Sequence, residues 1–457
     1  MKRHIASTCV GILLSGATAL AGGQELSIEY TVNSDLEGLT PYGSQFISLE
    51  SKTPPGEWKL PEIASERPLY GLAKLGDSEF LIILDASAGG SAGYDRVYLD
   101  RNHDRDLSGE APITGKLLHF DDDAYFFIEF EDSLHLEYEI GEASFPYVLS
   151  IQVSGMDKKE LDLPDGVELP DEFYDQSMVT LFLTSECCYA GKFERGDRKY
   201  RVLLGDGNCD GTFDGQVSIP DHEWSTVDDT LYPEGDHLYL THKKKMIPAD
   251  RLLLGDHLLL GEELFTIDVN IREAKLTMSE ATEGLLPMKL SHAPDRLVAH
   301  SKDFEHSIMM YEPGTEARVP AGEYRLLTYS ILGEGKDGDV WRLEAEATGD
   351  SPFVSLKGEA GAQLEFGEPF TASADVAEWA RDSVPEEGSA DKDRRKTSID
   401  FRVRGSAGEE VSGLTLLSGK PKMIMMSREE PRQPLEPSYT IFKPDGEQLK
   451  KGSFEYG

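Results

Sequence analysis

Apolar and polar residues alternate along much of this chain. The segments YFFIEFE (125–131), VTLFLTS (179–185), KYRVLLG (199–205), YRLLTYSIL (324–332), DVWRLEAEA (339–347) and SIDFRVRG (398–405) all carry a period of two. Successive side chains of a strand point to opposite faces, so each segment predicts a β-strand with one buried face. Turns containing Gly, Pro, Asp or Asn separate the runs. Helical periodicity is scarce, and ADVAEWARD (374–382) is its best short example. The chain is predicted to be mainly β, built from small sandwiches or barrels.

Two stretches of the N-terminal half share one plan. YGLAKLGDSEFLIILD (70–85) leads through DRVYLDRNHDRDLSGE (95–110), and YAGKFERGDRKYRVLLGDGNCDGTFDG (189–215) repeats the order. In each, a strand turns through Gly-Asp into a second apolar strand, and an Asp-x-Asn-x-Asp loop comes after. The first copy has one additional short strand, RVYL, before its loop. A duplicated unit of strand pair and acidic loop is the expectation, with Asp100 and Asp206 in equivalent places. Residues 1–21 have a basic start, a short apolar run and a small-residue site at Ala19–Ala21, the pattern of a secretory signal peptide. The divisions expected after it are 22–150 and 151–287, two β regions with one acidic loop each, and 288–457, a C-terminal β-sandwich. An acidic insertion lies at 162–176 and a charged, small-residue loop at 383–396.

Charge narrows the partners. The formal net charge is −39, with 84 Asp and Glu against 45 Lys and Arg. Such a surface repels nucleic-acid phosphates and anionic membranes, and it suits divalent cations. No later segment approaches the apolar length that a membrane span needs. The expected setting is therefore periplasmic, extracellular or at the cell surface. Beyond the leader only Cys187, Cys188 and Cys209 remain. An odd number excludes a disulfide framework. Adjacent cysteines strain the peptide between them when bridged, so Cys209 with Cys187 or Cys188 is the pairing expected in an oxidising compartment. Three buried thiols are the alternative.

The acidic loops carry the clearest chemistry. Calcium takes about six to eight oxygen ligands at roughly 2.3–2.6 Å, and a tight loop can aim its first, third and fifth side chains at one point. Asp206, Asn208 and Asp210 fill those positions; Gly211 stands sixth, Thr212 seventh, Phe213 eighth as an apolar anchor, and Asp214 ninth. In the first loop Asp100, Asn102 and Asp104 do the same, with Asp106 seventh, Leu107 as anchor and Ser108 ninth. Arg105 occupies the glycine position there, so the turn must accommodate a side chain and a cation. Position twelve lacks the bidentate Glu in both loops, being Ala111 and Val217. A carboxylate from elsewhere, with Glu110, Asp221 and Asp236 as candidates, would have to complete the site, and the expected affinity is weak, on the order of 10⁻⁴–10⁻³ M.

These loops resemble EF-hand-type calcium loops set between β-strands instead of helices, as in several secreted bacterial proteins. The wider pattern of VLLGDGNCDGTFDG, GDHLLLGEELFTIDV, VPAGEYRL and GSFEYG is similar to a group of exported bacterial multi-β-domain proteins. That resemblance covers most of the chain and implies no activity. VPAGEYRLLTYSI (319–331) resembles the Pro-x-Gly-x-Tyr strand of transthyretin-like, carboxypeptidase-regulatory β-sandwiches. It implies that Gly322 makes the turn, that Tyr324 enters the core, and that the module is structural or binding.

Catalytic motifs are weak. GGSAG (89–93) has the spacing of a hydrolase nucleophile elbow, but YDRVYLD after Ser91 continues as a strand where an elbow needs a helix. His222, His237 and His257 each follow Asp, and no His-Glu-x-x-His is present. His237 with His242 is the pair that comes nearest to a transition-metal site, although Asp-His in a loop commonly only solvates a turn. With 84 acids, chance alone supplies carboxylate pairs of glycosidase spacing. Trp58, Trp224 and Trp379 are candidates for a sugar platform, core packing being the commoner fate. The sequence thus leads to an exported, acidic, non-catalytic calcium-binding β protein with a structural role or a protein or polysaccharide partner. Its rival is a secreted hydrolase acting on polysaccharide, which would require a concave cleft with two inward carboxylates.

Overall fold

The computed structural model describes residues 23–36, 41, 43–87, 94–119, 125–130, 133–156, 179–219, 226–227, 230–243, 246–247, 250–335, 338–358, 360–376, 399–419, 438–443 and 446–453. The expected leader, the GGSAG stretch, both charged insertions, Asp221, His222, Trp224 and Trp379 lie outside them. Among the described residues the chain is mainly β, and the helical pieces are the short 3-10 turns Asn33–Asp35 and Leu107–Gly109. None of the described helices is long and apolar enough to cross a membrane.

The period-two segments became strands almost to the residue. Val179–Ser185 alternates buried and half-buried positions along its length, and Val340–Glu346 and Ile399–Arg404 lie within their expected ranges. The helical expectation at 374–382 is corrected where it is described: Ala374, Asp375 and Val376 end the strand Thr371–Val376, which pairs with Ile399–Arg404. A neighbouring strand satisfies the backbone there, and this outweighs a weak local helical pattern.

Sixteen of the described strands join one sheet. Gly23–Val32 pairs with Cys187–Arg195 on one side and Lys275–Glu280 on the other. Beyond Cys187–Arg195 come Arg198–Gly205, His237–Thr241 and Arg251–Leu253. In the other direction the order runs through Glu263–Asn270 and His257–Leu260 to Ser307–Tyr311, Arg296–Ser301, Gly322–Glu334 and Val340–Glu346. The sheet therefore continues across the 287/288 division. His257–Leu260 and Ser307–Tyr311 meet in parallel, whereas their neighbours pair antiparallel.

Smaller sheets pack against this one. Leu69–Leu75, Ser78–Asp85, Arg96–Leu99 and Ile113–Thr114 form one of four strands. Ala143–Met156, with Leu134–Ile140 and Val179–Ser185 beside it, belongs to another. One apolar core takes Leu26, Ile82, Tyr147, Leu183, Val202 and Met309 from all three sheets. Each such side chain contributes about 1.5–3 kcal/mol on burial. A second core holds Met288, Leu297, Phe366 and Tyr324. Tyr324 is fully buried and its hydroxyl donates to Pro320 O at 3.0 Å.

A buried group of four charges ties the N-terminal half of the large sheet to the C-terminal half. Arg296 contacts Asp250 at 2.7 Å and also Asp295, and Arg342 contacts Asp295 at 2.7 Å and Asp250 at 3.2 Å. Arg296 donates in addition to Leu240 O at 3.0 Å, so a strand from each half is held.

Candidate functional site

Both Gly-Asp turns of the repeated plan are hairpin turns, Gly76-Asp77 and Gly196-Asp197, with each glycine at positive φ. A left-handed first residue suits the right-handed twist of the strands it joins. The loops that follow are not placed alike. Arg198–Gly205 runs straight into Asp206, so the second loop leaves at the open end of its hairpin. In the first copy Arg96–Leu99 pairs antiparallel to Ser78–Asp85, and the Asp100 N–H donates to Leu81 O at 3.1 Å, near the hairpin turn. The extra strand RVYL reverses the chain once more. The expectation that Asp100 and Asp206 follow equivalent strands is corrected accordingly.

Their internal geometry nevertheless matches position by position. In the first loop the Asp100, Asn102 and Asp104 side chains accept from the N–H groups of Arg105 (3.1 Å), Asp104 (3.3 Å) and Asp106 (2.8 Å). In the second, Asp206, Asn208 and Asp210 accept from Gly211 (2.8 Å), Asp210 (3.2 Å) and Thr212 (2.7 Å). The fourth and sixth residues have positive φ in both: His103 at 58° and Arg105 at 61°, Cys209 at 56° and Gly211 at 83°. Arg105 thus adopts the backbone that favours glycine, a strain of about 1–3 kcal/mol. Its guanidinium lies over the Trp58 ring at 5.1 Å, which gives Trp58 a packing role.

Each loop is anchored as its apolar residue predicts. Leu107 is buried with Tyr70, Leu81, Ile83 and Tyr98. Phe213 is buried in the main core, edge-on to Tyr189 at 4.9 Å between ring centroids. The second loop also rests on the first hairpin, whose Gly76 N–H donates to Asp210 O at 2.6 Å, and on the strand Leu134–Ile140, whose Tyr138 hydroxyl donates to Gly211 O. His103 ties the first loop to the same neighbouring strand through Glu137 O at 2.8 Å.

The remaining positions divide by environment. The Asp106 carboxylate meets Lys59 at 2.7 Å and caps the turn Leu107–Gly109 through the Ser108 N–H at 3.1 Å and hydroxyl at 2.5 Å. Lys59, and next the Ser108 donors, hold its pKa down at about 2. Thr212 donates its hydroxyl to Asp210 at 2.8 Å, and Asp214 is exposed. Of the candidate completing carboxylates, Asp236 lies beside the second loop. Its two oxygens accept from the N–H groups of Gly207 (2.9 Å) and Gly215 (2.7 Å), closing the loop at both ends. Sequence reasoning missed Tyr147, whose hydroxyl donates to Asp206 at 2.6 Å. It lies on Ala143–Met156, a strand outside the segments whose alternation is plain in the sequence.

Electrostatics distinguishes the two loops. Burial pushes the Asp206 carboxyl up from 3.8 to about 7, against the hydrogen bond from Tyr147, and the Asp210 charge adds to the rise. Asp236 is raised well above its ordinary value by burial and then by Asp206. In the first loop Asp100 is fully buried, and its Oδ1 has no hydrogen-bond partner, while Asn102 and Asp104 are exposed. In both loops the side chains at the first, third and fifth positions are folded back onto the loop's own backbone N–H groups.

The expected disulfide is corrected: Cys187, Cys188 and Cys209 are buried thiols. Cys187 faces the main core, and Cys188 packs with Leu203, Tyr239 and Met246, because neighbours on a strand point to opposite faces. No family model, curated protein or solved structure matches this chain. The fold and the loops define a mainly β protein with two acidic loops of the same internal form, Asp-x-Asn-x-Asp.

Proposed function

We propose that this is an exported, acidic, non-catalytic β protein that binds calcium through residues 100–108 and 206–214, with a structural or binding role. The observation that carries this reading is the buried Asp100 Oδ1 with no hydrogen-bond partner, inside a loop whose other acceptors already hold backbone N–H groups. An unsatisfied buried carboxylate oxygen is costly, and a cation at the loop centre relieves that cost. The clustered acids Asp206, Asp210 and Asp236 supply the same incentive in the second loop.

Thermal unfolding in chelator and in millimolar calcium tests the proposal. With dissociation constants of about 10⁻⁴–10⁻³ M the gain at about 1 mM calcium is roughly 0.4–1.4 kcal/mol per site, rising to about 2.7 kcal/mol at a hundredfold excess. Asp210→Ala removes most of the increment and Asp104→Ala a smaller part, because the second loop is more buried and Gly211 turns without strain. Identical melting curves in chelator and calcium refute it.

The hydrolase reading has one observation in its favour. A cavity of about 400 Å³ is lined by His237, Arg251, Ser330, Glu344 and Glu346. Glu344 and Glu346 share a strand face, about 7 Å apart along it, and burial raises both carboxyls. Turnover of a polysaccharide, abolished by Glu344→Gln or Glu346→Gln, would replace the calcium-binding module with an enzyme; the module turns over none.

A further inference from the structure

Asp256, His257 and His306 form a third cluster, which the calcium reading does not use. The parallel pairing of His257–Leu260 with Ser307–Tyr311, in register His257 to Ile308, sets the starts of the two strands side by side. His257 begins one strand, Asp256 immediately precedes it, and His306 immediately precedes the other. The Ser307 N–H fixes Asp256 by donating to its Oδ1 at 2.6 Å. Gly255 permits the approach, since a Cβ there would lie 2.3 Å from Ser307 O.

The three side chains converge without satisfying one another. His257 Nδ1 is 3.0 Å from Asp256 Oδ1, and His306 Nδ1 is 3.7 Å from Asp256 Oδ2. One donor atom from each residue lies within 4.8 Å of the others. Neither Nδ1 makes a hydrogen bond, although both are buried, and the His257 side chain is 8% exposed. The rings stand edge to face at 5.3 Å. The buried Nδ1 atoms and the Asp256 carboxylate thus lie close together, with no hydrogen-bond partner at either Nδ1.

The geometry points to a transition-metal site of the zinc class at Asp256, His257 and His306. Metal–ligand bonds of about 2.0–2.2 Å in tetrahedral array set ligand atoms roughly 3.3–3.5 Å apart, and here one ligand atom from each of the three residues lies within 4.8 Å of the other two, so small side-chain rotations bring them to that spacing. Two imidazoles and one carboxylate suit zinc, cobalt or nickel, whereas calcium prefers all-oxygen cages. Asp256 and His306 are 23% and 30% exposed, which leaves a fourth position open to water. One ligand pair comes from the N-terminal side of the sheet and one ligand from the C-terminal side, so the ion also clasps the two halves where they join.

Cobalt(II) as probe and zinc as competitor test this in the full chain with millimolar calcium present, which keeps the outcome independent of the acidic loops. Expected are one equivalent of cobalt with the strong visible bands of four- or five-coordinate nitrogen–oxygen ligation, and their loss on adding zinc. His306→Gln and Asp256→Asn should each weaken binding at least tenfold. Zinc-edge X-ray absorption on the parent protein, showing two imidazoles, supports the site even if a variant folds poorly. Absence of the visible bands, or unchanged affinity in both variants, overturns the assignment.

Discussion

Arg342→Met should be among the most destabilising single changes in this protein. The side chain is fully buried and holds Asp295 at 2.7 Å and Asp250 at 3.2 Å, in a group of two arginines and two aspartates whose formal charges cancel. Removing one arginine leaves a net buried negative charge. Arg296 keeps its contacts, but the replacement cation within reach is Lys243, 4.0 Å from Asp295 and 40% exposed. Breaking a buried pair costs about 3–5 kcal/mol, which for a chain of 457 residues is about 3–5 °C in melting temperature. Guanidinium unfolding, followed by the fluorescence of neighbouring Trp341, measures it. Asp295→Asn added to Arg342→Met restores charge balance and should recover about 1–3 kcal/mol. A single variant within about 0.5 kcal/mol of the parent, or a double variant equal to the sum of its parts, would refute the reasoning.

Phe213→Ala should cost about 3–5 kcal/mol and reduce the calcium response, because that ring anchors the second loop; calorimetry with and without calcium checks both. Tyr147→Phe removes a donor to buried Asp206 and should cost about 1–3 kcal/mol, seen in denaturant titrations. Burial, and next the Arg325 charge, lower the His300 pKa from 6.5 to about 4, so the folded protein keeps that ring neutral where the unfolded chain protonates it. Stability is then present above pH 6.5 and lost as pH falls toward 4, and His300→Gln should flatten melting temperature across that window. Burial raises the Cys187 and Cys188 thiols to about 11 and 12 and raises Cys209 as well, so a thiol reagent should find these three unreactive in native protein and titrate them in denaturant.

What was legible in the sequence was local. Val179–Ser185 was readable because its alternate residues meet core and surface. The internal form of both loops was readable because the Asp-x-Asn-x-Asp spacing sets which side chain meets which N–H. Positions fixed by distant partners were not readable. His306 meets Asp256 through a parallel strand pairing that no periodicity encodes, and Asp236 reaches the second loop from another segment. Arg342, in an alternating strand, gave no sign that Asp250 and Asp295 awaited it. The loop exits misled for a simpler reason, since the four residues Arg96–Leu99 reverse the chain.

The place of Gly23–Val32 in the large sheet sets an order of assembly. This strand is the first described element to be synthesised, yet its partners lie at 187–191 and 275–279. Until both have been made, Leu26 and Ile28 lack the strands that flank them in the sheet, and two rows of backbone groups stay open to wrong neighbours. Contacts so distant along the chain close slowly. Gly23–Val32 therefore completes its pairing only once residues 275–279 have been made, so open strand edges persist while much of the described fold is synthesised.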